Sequence, residues 1–403
     1  MSLKLGNDDV DKVILGSQEV SAIYKGADEV WAAGGSGKPI ENISEAFSTY
    51  LYKGNKSTNP IANGVDLDGE GGLVWIKNRE NSKSHALFDT ERGPNNQLYS
   101  DTTSKANDTP GLGVSSFNSD GFTLAGAGTE TNAPNDYASW TFRKAPKFFD
   151  VVTYMGDGVA GREIPHNLGV EPGMIIVKNI TNGASDWRVY HRSLGATKNL
   201  LLNGANAALT QTGMWNDTEP TSTVFTVGDD SGTNGNAAAY DYVAYLFAHD
   251  DSDESMIKCG SYTGNGNVDG PEIDLGFEPQ WVLIKGATGG SSSWILIDSI
   301  RGVGSDQGDP RLEADNSNAE DSRKVLAGFT STGFKINGKY SGVNRDANSD
   351  YTYMAIKADP NFRMPPEWEQ MNQEVAEKIA RRDAAREAIT EKVKDSKDIK
   401  DDG

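Results

Sequence analysis

Three apolar runs decide the fold of this 403-residue chain: GLVWIKNRE at residues 72–80, GMIIVKNIT at 173–181 and QWVLIKGAT at 280–288. The apolar part of each run ends on a lysine, and Lys77, Lys178 and Lys285 follow one another at a nearly constant spacing. The runs are short and rich in Val, Ile and Trp, which predicts buried β-strands rather than helices. Their regular recurrence indicates an internal repeat.

Further landmarks keep the same order around each run. A Tyr-x-Gly motif precedes it at Tyr52, Tyr154 and Tyr262, and an aromatic strand closes each copy as YASWTFRKAP, YVAYLFAHD or YTYMAIKADP. Insertions fall between these landmarks, which is typical of surface loops on a fixed framework of strands. We therefore predict an all-β protein with three tandem β-sandwich-like repeats. Their predicted bounds are 47–146, 147–250 and 251–361.

The closing strands also predict how the sheets are buried. Tyr351, Tyr353 and Ala355 alternate with Thr352, Met354 and Ile356 in the last copy. Such a period of two is typical of a sheet that has one face in the core and one face in water. We therefore expect each sheet to bury one face.

The first 33 residues carry a shorter repeat. Gly6, Gly16 and Gly26 recur within MSLKLGNDDVDKVILGSQEVSAIYKGADEVW, which predicts strand, turn and strand in each unit. A meander of this size cannot hold a core of its own, so we predict a docking arm at residues 1–33 and a Gly/Ser linker at 34–46. The residues predicted to dock it are Val10, Val20, Tyr24, Val30 and Trp31.

The composition changes after Pro365 and Pro366. The stretch EWEQMNQEVAEKIARRDAAREAITEKV is rich in helix formers, which predicts a C-terminal α-helix and a charged tail within residues 362–403. Met371, Val375 and Ile379 form a narrow apolar stripe. Either the body of the protein or a partner helix would bury it, and a coiled coil through a homotrimer is one alternative, although the spacing is not a regular heptad.

The charge balance limits the classes of partner. The chain has 58 acidic and 38 basic residues and a formal net charge of −20, which disfavours binding to nucleic acid and to anionic membranes. Its single cysteine, Cys259, excludes an intrachain disulfide. The polar N-terminus does not match a signal peptide and no apolar run is long enough for a bilayer. We expect synthesis in a cytoplasm and no membrane insertion.

Few motifs suggest chemistry. The sequence matches no phosphate loop, nucleophile elbow or metalloprotease motif, so we expect neither an enzyme nor a cofactor. Asp66, Asp68 and Glu70, in a Gly-rich turn, are weak candidates for calcium ligands, and solvated turn charge is the alternative. Trp215, in the loop TGMWNDTEP, is a candidate for stacking on a sugar ring, and burial on its own domain is the alternative.

The repeated landmarks resemble a known domain type. The block YxGNG, LGxxP, IKN, D-x-x-RG and SxGF with a closing aromatic strand is similar to a repeated β-domain of tail-fibre-like and other virion proteins of tailed bacteriophages, particularly marine ones. The segments that carry the resemblance are 262–266, 275–279, 75–79, 89–93, 298–302 and 119–122. The second copy departs from the pattern, because it has YHRSLG at 190–195.

The resemblance implies a function that composition alone does not. It implies a virion structural protein, foremost a tail fibre or tail-associated appendage whose arm binds other virion proteins and whose loops contact a glycan or protein of the host surface. A homo-oligomer, such as a trimer, is the expected assembly. A capsid decoration or head-fibre protein with a purely structural role is one alternative. A polysaccharide-degrading appendage, which would need a pair of acids placed by the fold, is the other.

Overall fold

Antiparallel strands make up most of the protein in this computed structural model. It describes residues 38–235, 240–252, 254–304 and 308–401, together with the backbone of six short strands within residues 1–37, and it describes side chains from residue 38 to residue 390. One long α-helix follows the strands in these ranges. The prediction of an all-β protein with a C-terminal helix is confirmed.

The six N-terminal strands pair as three separate antiparallel hairpins, β1 with β2, β3 with β4 and β5 with β6. Gly6, Gly16 and Gly26 each fall between the two strands of one hairpin in the sequence. The strands are β1 (Lys4–Leu5), β2 (Asp8–Asp9), β3 (Ile14–Leu15), β4 (Gln18–Glu19), β5 (Ala22–Lys25) and β6 (Asp28–Ala32).

The strands of the body fall into three consecutive groups, and a short 3₁₀ turn at Ile43–Glu45 precedes them. Group 1 contains β7 (Phe47–Lys53), β8 (Asn59–Ala62), β9 (Gly72–Asn78), β10 (Ala86–Asp89), β11 (Asn96–Tyr99), β12 (Asn107–Asp108), β13 (Gly113–Asn118), β14 (Gly121–Ala125) and β15 (Asp136–Arg143). Group 2 contains β16 (Phe149–Met155), β17 (Arg162–Pro165), β18 (Pro172–Asn179), β19 (Arg188–His191), β20 (Lys198–Leu201), β21 (Leu209–Thr210), β22 (Val224–Val227) and β23 (Asp241–Ala248). Group 3 contains β24 (Ile257–Thr263), β25 (Asp269–Asp274), β26 (Pro279–Gly286), β27 (Ile295–Asp298), β28 (Asp309–Glu313), β29 (Asp321–Arg323), β30 (Leu326–Thr330), β31 (Gly333–Asn337) and β32 (Asp350–Lys357).

Each group forms one six-stranded sheet and one smaller sheet. The large sheets run β12-β11-β10-β9-β15-β7, β21-β20-β19-β18-β23-β16 and β29-β28-β27-β26-β32-β24, so the strand order is the same in all three. The small sheets are β13-β14-β8, β17-β22 and β30-β31-β25. The three lysine-ended runs form β9, β18 and β26, which lie near the middle of each large sheet. β9 lies between β10 and β15, β18 between β19 and β23, and β26 between β27 and β32.

The large sheets are buried on both faces, and the expectation of one buried face is therefore wrong for their central strands. Every residue of β9, β18 and β26 is buried. In group 1, Val74 and Ile76 pack with Phe122 of the small sheet, whereas Leu73 and Trp75 belong to a core shared with the other groups. Neighbouring groups replace water on the second face, so apolar residues occur at both alternating sets of positions.

The shared core joins all three groups through aromatic side chains. The ring of Phe142 in group 1 lies 5.4 Å from that of Phe247 in group 2 and 6.0 Å from that of Trp281 in group 3, measured between centroids. Both pairs meet edge to face, an arrangement that contributes about 0.5–1.5 kcal/mol beyond the area buried. The body is therefore held together at its centre and not only along the chain.

The C-terminal helix α1 extends over Pro366–Asp401. Trp368, Val375 and Ile379 are buried against the body, so the first half of the predicted stripe packs on the chain itself. Beyond Asp383 the described side chains are exposed, including Ile389 at 63%. Within the described ranges, no helix has both the length and the apolar character needed to cross a bilayer.

Candidate functional site

The most distinctive feature of the body is the set of three seams along which the groups meet. We define each seam by one backbone hydrogen bond: Ala106 N–H to the Ile180 carbonyl at seam 1–2, 3.0 Å; Ala208 to Ala287 at seam 2–3, 2.9 Å; and Glu320 to Arg79 at seam 3–1, 2.9 Å. Because group 3 contacts group 1 as well as group 2, the three groups close on one another.

The closing strands β15, β23 and β32 add a polar contact to each seam. Trp140 donates from Nε1 to Asp298 at 3.1 Å across seam 3–1, and Tyr245 donates from its hydroxyl to Asp89 at 2.7 Å across seam 1–2. At seam 2–3 the imidazole of His191 donates from Nε2 to the Tyr353 carbonyl at 3.1 Å. Group 2 has His191 where groups 1 and 3 have an aspartate, and this histidine still makes a buried contact across its seam.

Both acids, Asp89 of group 1 and Asp298 of group 3, are neutralised by an arginine of their own group. Asp89 pairs with Arg92 at 2.6 Å, and Asp298 pairs with Arg301 at 2.7 Å. All four side chains are nearly or fully buried. The repeated Asp and Arg are therefore structural ion pairs.

One buried lysine crosses each seam. Lys77 donates from Nζ to the Ser317 carbonyl at 3.2 Å, Lys178 to Thr103 at 2.9 Å and Lys285 to Ala205 at 3.1 Å. Each also donates to a carbonyl of its own group, from Lys83, Ser185 or Ser292. Burial lowers the pKa of Lys77 to about 7, and that of Lys178 and Lys285 to about 8.

A second set of seam contacts comes from the residue just before the fourth strand of groups 2 and 3. Trp187 donates from Nε1 to the Tyr99 carbonyl at 2.9 Å and Trp294 to the Leu201 carbonyl at 2.8 Å. His85 has the corresponding place in group 1. The Nε2 atom of His85 makes no hydrogen bond of standard geometry. The backbone of Glu313 lies close enough to favour the protonated imidazole and so to raise its pKa. Burial nevertheless lowers the pKa of His85 well below its ordinary value.

Seam 3–1 carries a buried ion-pair network that includes charged side chains of both of its groups. Glu320 accepts from Arg79 at 2.9 and 2.8 Å and from Arg301 at 3.0 Å. Both partners favour the carboxylate, so the pKa of Glu320 is lowered even though its burial acts in the opposite direction. Asn372 of helix α1 accepts from Arg79 at 2.9 Å and donates to the Ile300 carbonyl at 2.6 Å.

Helix α1 covers this network. Lys378 donates to Glu80 at 2.9 Å and to Asp136 at 3.1 Å, and Arg382 donates to the Glu320 carbonyl at 2.7 Å. The helix therefore contacts both groups that meet at seam 3–1. We infer that it clamps the junction between the first and last strand groups.

Open space remains at several places on the body. A cavity of about 560 Å³ lies at seam 1–2, where Ala106 and Asn182 are among its lining residues. A second cavity, of about 730 Å³, lies where the linker enters the body, between Pro39, Lys147 and Met256. A third, of about 680 Å³, lies beside helix α1 at seam 3–1, where Glu320 and Asn372 are among its lining residues.

The residues predicted from the sequence do not converge on one site. Trp215 is only 2% exposed and packs edge to face on Tyr190 at 5.9 Å. Its proposed stacking on a sugar is therefore wrong, because no ring face is available. Asp66 accepts from the Gly69 N–H of its own turn at 2.8 Å, and Glu70 lies 3.6 Å from Arg143.

The structure describes no metal-ligand cluster for the acidic turn. Within the described ranges, His, Cys, Asp and Glu side chains form no group of three or more that could hold a metal ion, and Asp66, Asp68 and Glu70 are no exception. For the docking arm, Val10 and Val20 lie outside the described residues, as do the side chains of Tyr24, Val30 and Trp31.

A family model matches residues 42–360, which is the whole three-group body. Its description is a domain of unknown function, DUF7483. The chain belongs to the DUF7483 family. No curated protein matches it.

The residues that match the family model begin and end within a few residues of the first and last strands of the body. The six N-terminal strands precede the DUF7483 region, and helix α1 follows it. A single family model thus includes all three strand groups and all three seams. Sequence reasoning missed that Lys77, Lys178, Lys285 and Glu320 make contacts across the seams of this DUF7483 body. The recurrence of the lysines could have pointed to a shared structural role.

Proposed function

We propose that this DUF7483 protein is a structural protein of a bacteriophage particle, foremost a tail fibre or tail-associated appendage. The N-terminal hairpins anchor it to other virion proteins, and the loops of the body contact the host surface. The observation that carries the proposal is the combination of a body closed at three seams with a separate set of N-terminal hairpins. The resemblance of the repeated landmarks to phage virion domains specifies the kind of particle.

The three strand groups, in the same proposal, are three copies of one β-sandwich domain arranged around a pseudo-threefold axis. Their identical strand order supports this. A repeated lock supports it as well: one asparagine in each group donates from Nδ2 to two loop carbonyls, at distances of 2.6–3.1 Å. The asparagines are Asn132, Asn234 and Asn344.

The lock shapes the loop after the first strand of each group. The hydroxyls of Tyr52, Tyr154 and Tyr262 donate to a carbonyl beside the asparagine, at 2.7–2.8 Å. The loops that are fixed in this way expose apolar side chains at Val159, 61%, and Val268, 64%. Rigid loops with exposed apolar tips support a role in contact with another surface, since ordering them on binding costs little entropy.

The arm supplies the test. Deleting residues 1–33 should prevent incorporation into particles, because the hairpins are the proposed anchor. It should leave the body folded, because the contacts described for the body involve residues from Lys38 onward. Incorporation is measured by quantitative immunoblotting of purified particles, and folding by circular dichroism. A chain with the same 33 residues in scrambled order is the matched control for length and charge, and it too should fail to incorporate. Full incorporation of either variant would contradict the anchoring role.

A further inference from the structure

The cavity at seam 1–2 has a chemical character that the other seams lack. Its volume is about 560 Å³, and it is lined by residues of both groups. The lining residues that matter here are Tyr99, Lys105, Asn107, Thr181, Asn182 and Tyr240. None of them belongs to the buried networks that hold the seams together through side-chain ion pairs.

Comparison with seam 3–1 shows how the surroundings of this cavity differ. The residue that follows the seam carbonyl is Thr181 at seam 1–2 and Glu80 at seam 3–1. Glu80 binds Lys378 of helix α1 at 2.9 Å, so the helix occupies that position. Among the described residues, no helix covers the corresponding surface beside Thr181.

The loop at the same place of seam 2–3 has a different partner. Here the corresponding loop is Thr288–Ser291, and the guanidinium of Arg345 donates to the carbonyls of Gly289 and Ser291. Arg345 therefore lies against this loop. At seam 1–2 the loop ends in Asn182 and Gly183, and the cavity remains.

The groups around the cavity match the chemistry of a sugar. Tyr99 and Tyr240 supply aromatic rings on opposite groups, and aromatic rings with a few polar groups are typical of sites that hold small ligands. Asn107, Asn182 and Thr181 supply amide and hydroxyl groups for hydrogen bonds to sugar hydroxyls. Lys105 is exposed and has no ion pair among the described residues.

The surrounding charge acts in both directions on an acidic ligand. Burial, Glu130 and Asp101 together raise the pKa of Tyr99, in that order of effect. Both acids therefore act on the cavity wall, and the chain as a whole has a net charge of −20. The net charge repels an anionic sugar as it approaches, whereas Lys105, the one cation among the lining residues, would attract it. An uncharged pyranose is subject to neither force.

We propose that the cavity at seam 1–2 is a binding site for an uncharged hexopyranose unit of a surface glycan, held between Tyr99 and Tyr240. The inference rests on the proposed function, because it specifies the host-surface ligand of the appendage.

The geometry of Gly183 permits a sharp test. A Cβ atom at this position would lie 3.8–3.9 Å from Lys105, an ordinary contact, and its backbone does not require glycine. Gly183→Trp therefore fills the cavity without straining the loop. Ala184→Trp is the matched control, because Ala184 is exposed and does not line the cavity. Tyr240→Ala removes one wall.

The full-length chain is titrated with the methyl glycosides of glucose, galactose, mannose and N-acetylglucosamine and followed by saturation-transfer NMR. We expect at least one glycoside to bind. Gly183→Trp and Tyr240→Ala should weaken it by about tenfold or more, which is ~1.4 kcal/mol, and Ala184→Trp should bind as the natural chain does. Binding by none of the four, or binding that survives Gly183→Trp, would overturn the inference.

This outcome can be separated from the fate of the proposed function. A chain that is present on particles but binds no glycoside would contradict the sugar site alone. A chain that binds a glycoside at this cavity but is absent from particles would contradict the virion role alone. Circular dichroism of each variant checks that loss of binding does not result from unfolding.

Discussion

Replacing Glu320 by glutamine should destabilise the body more than any change at an exposed charge. Glu320 is fully buried and accepts three charged hydrogen bonds, at 2.8–3.0 Å, from Arg79 and Arg301. In Glu320→Gln, Arg301 keeps Asp298 as its anion, but Arg79 keeps only the neutral amide of Asn372. Leaving a buried charge without its partner costs about 3–5 kcal/mol. We expect the lower end, because the glutamine oxygen still accepts a hydrogen bond.

The assay is urea unfolding followed by tryptophan fluorescence and circular dichroism. Glu377→Gln is the matched control, because Glu377 forms an exposed ion pair with Arg381 in the same helix that covers seam 3–1. Such i,i+4 pairs contribute about 0.3–0.5 kcal/mol, so the control should barely shift the midpoint. If Glu320→Gln shifted the midpoint no more than Glu377→Gln, the network would not hold the seam.

The pH dependence gives a second check on the same variant. The folded pKa of Glu320 is lowered from 4.5, so its contribution is present above pH 4.5 and is lost as the pH falls through the folded pKa. The difference in unfolding free energy between the natural chain and Glu320→Gln should therefore shrink on acidification. A difference that stayed constant down to the acid transition would contradict the assignment of a charged Glu320.

Two further predictions concern the other seams. Tyr245→Phe removes the hydroxyl that donates to Asp89 at 2.7 Å across seam 1–2, and the loss of a partner to a buried carboxylate should cost about 1–3 kcal/mol in urea unfolding. An unchanged midpoint would show that Asp89 needs only Arg92. At seam 2–3, burial lowers the pKa of His191 from 6.5 to about 4. The unfolded chain therefore binds the proton first, and stability should fall as the pH drops from 6.5 towards 4. His191→Gln should flatten this slope in urea midpoints measured across the range, and an unaltered slope would assign it to other groups.

The elements that could be predicted from the sequence are those fixed by local pattern. The runs around Lys77, Lys178 and Lys285 are strands, and the helix begins at Pro366, the second residue of a proline pair. Both depend on residue type and spacing over short windows. The strand pattern was misleading only about burial, because β32 reads as one-sided although Met354 and Ile356 pack on other groups.

The seams could not be predicted because they join residues far apart in the chain. Lys178 reaches the carbonyl of Thr103, and Trp294 reaches that of Leu201. No periodicity encodes which carbonyl faces a given side chain after the groups close. The sequence could not decide between the two readings of Trp215 for the same reason: its loop has no regular pattern, and only the tertiary fold places the indole against Tyr190.

Above all, we propose that this protein is part of a phage particle. The most direct measurement is electron microscopy of intact particles labelled with a gold-conjugated antibody against group 3. We expect label on the tail. Label over the head would instead favour a decoration protein, and absence of label from particles that are otherwise complete would contradict the claim.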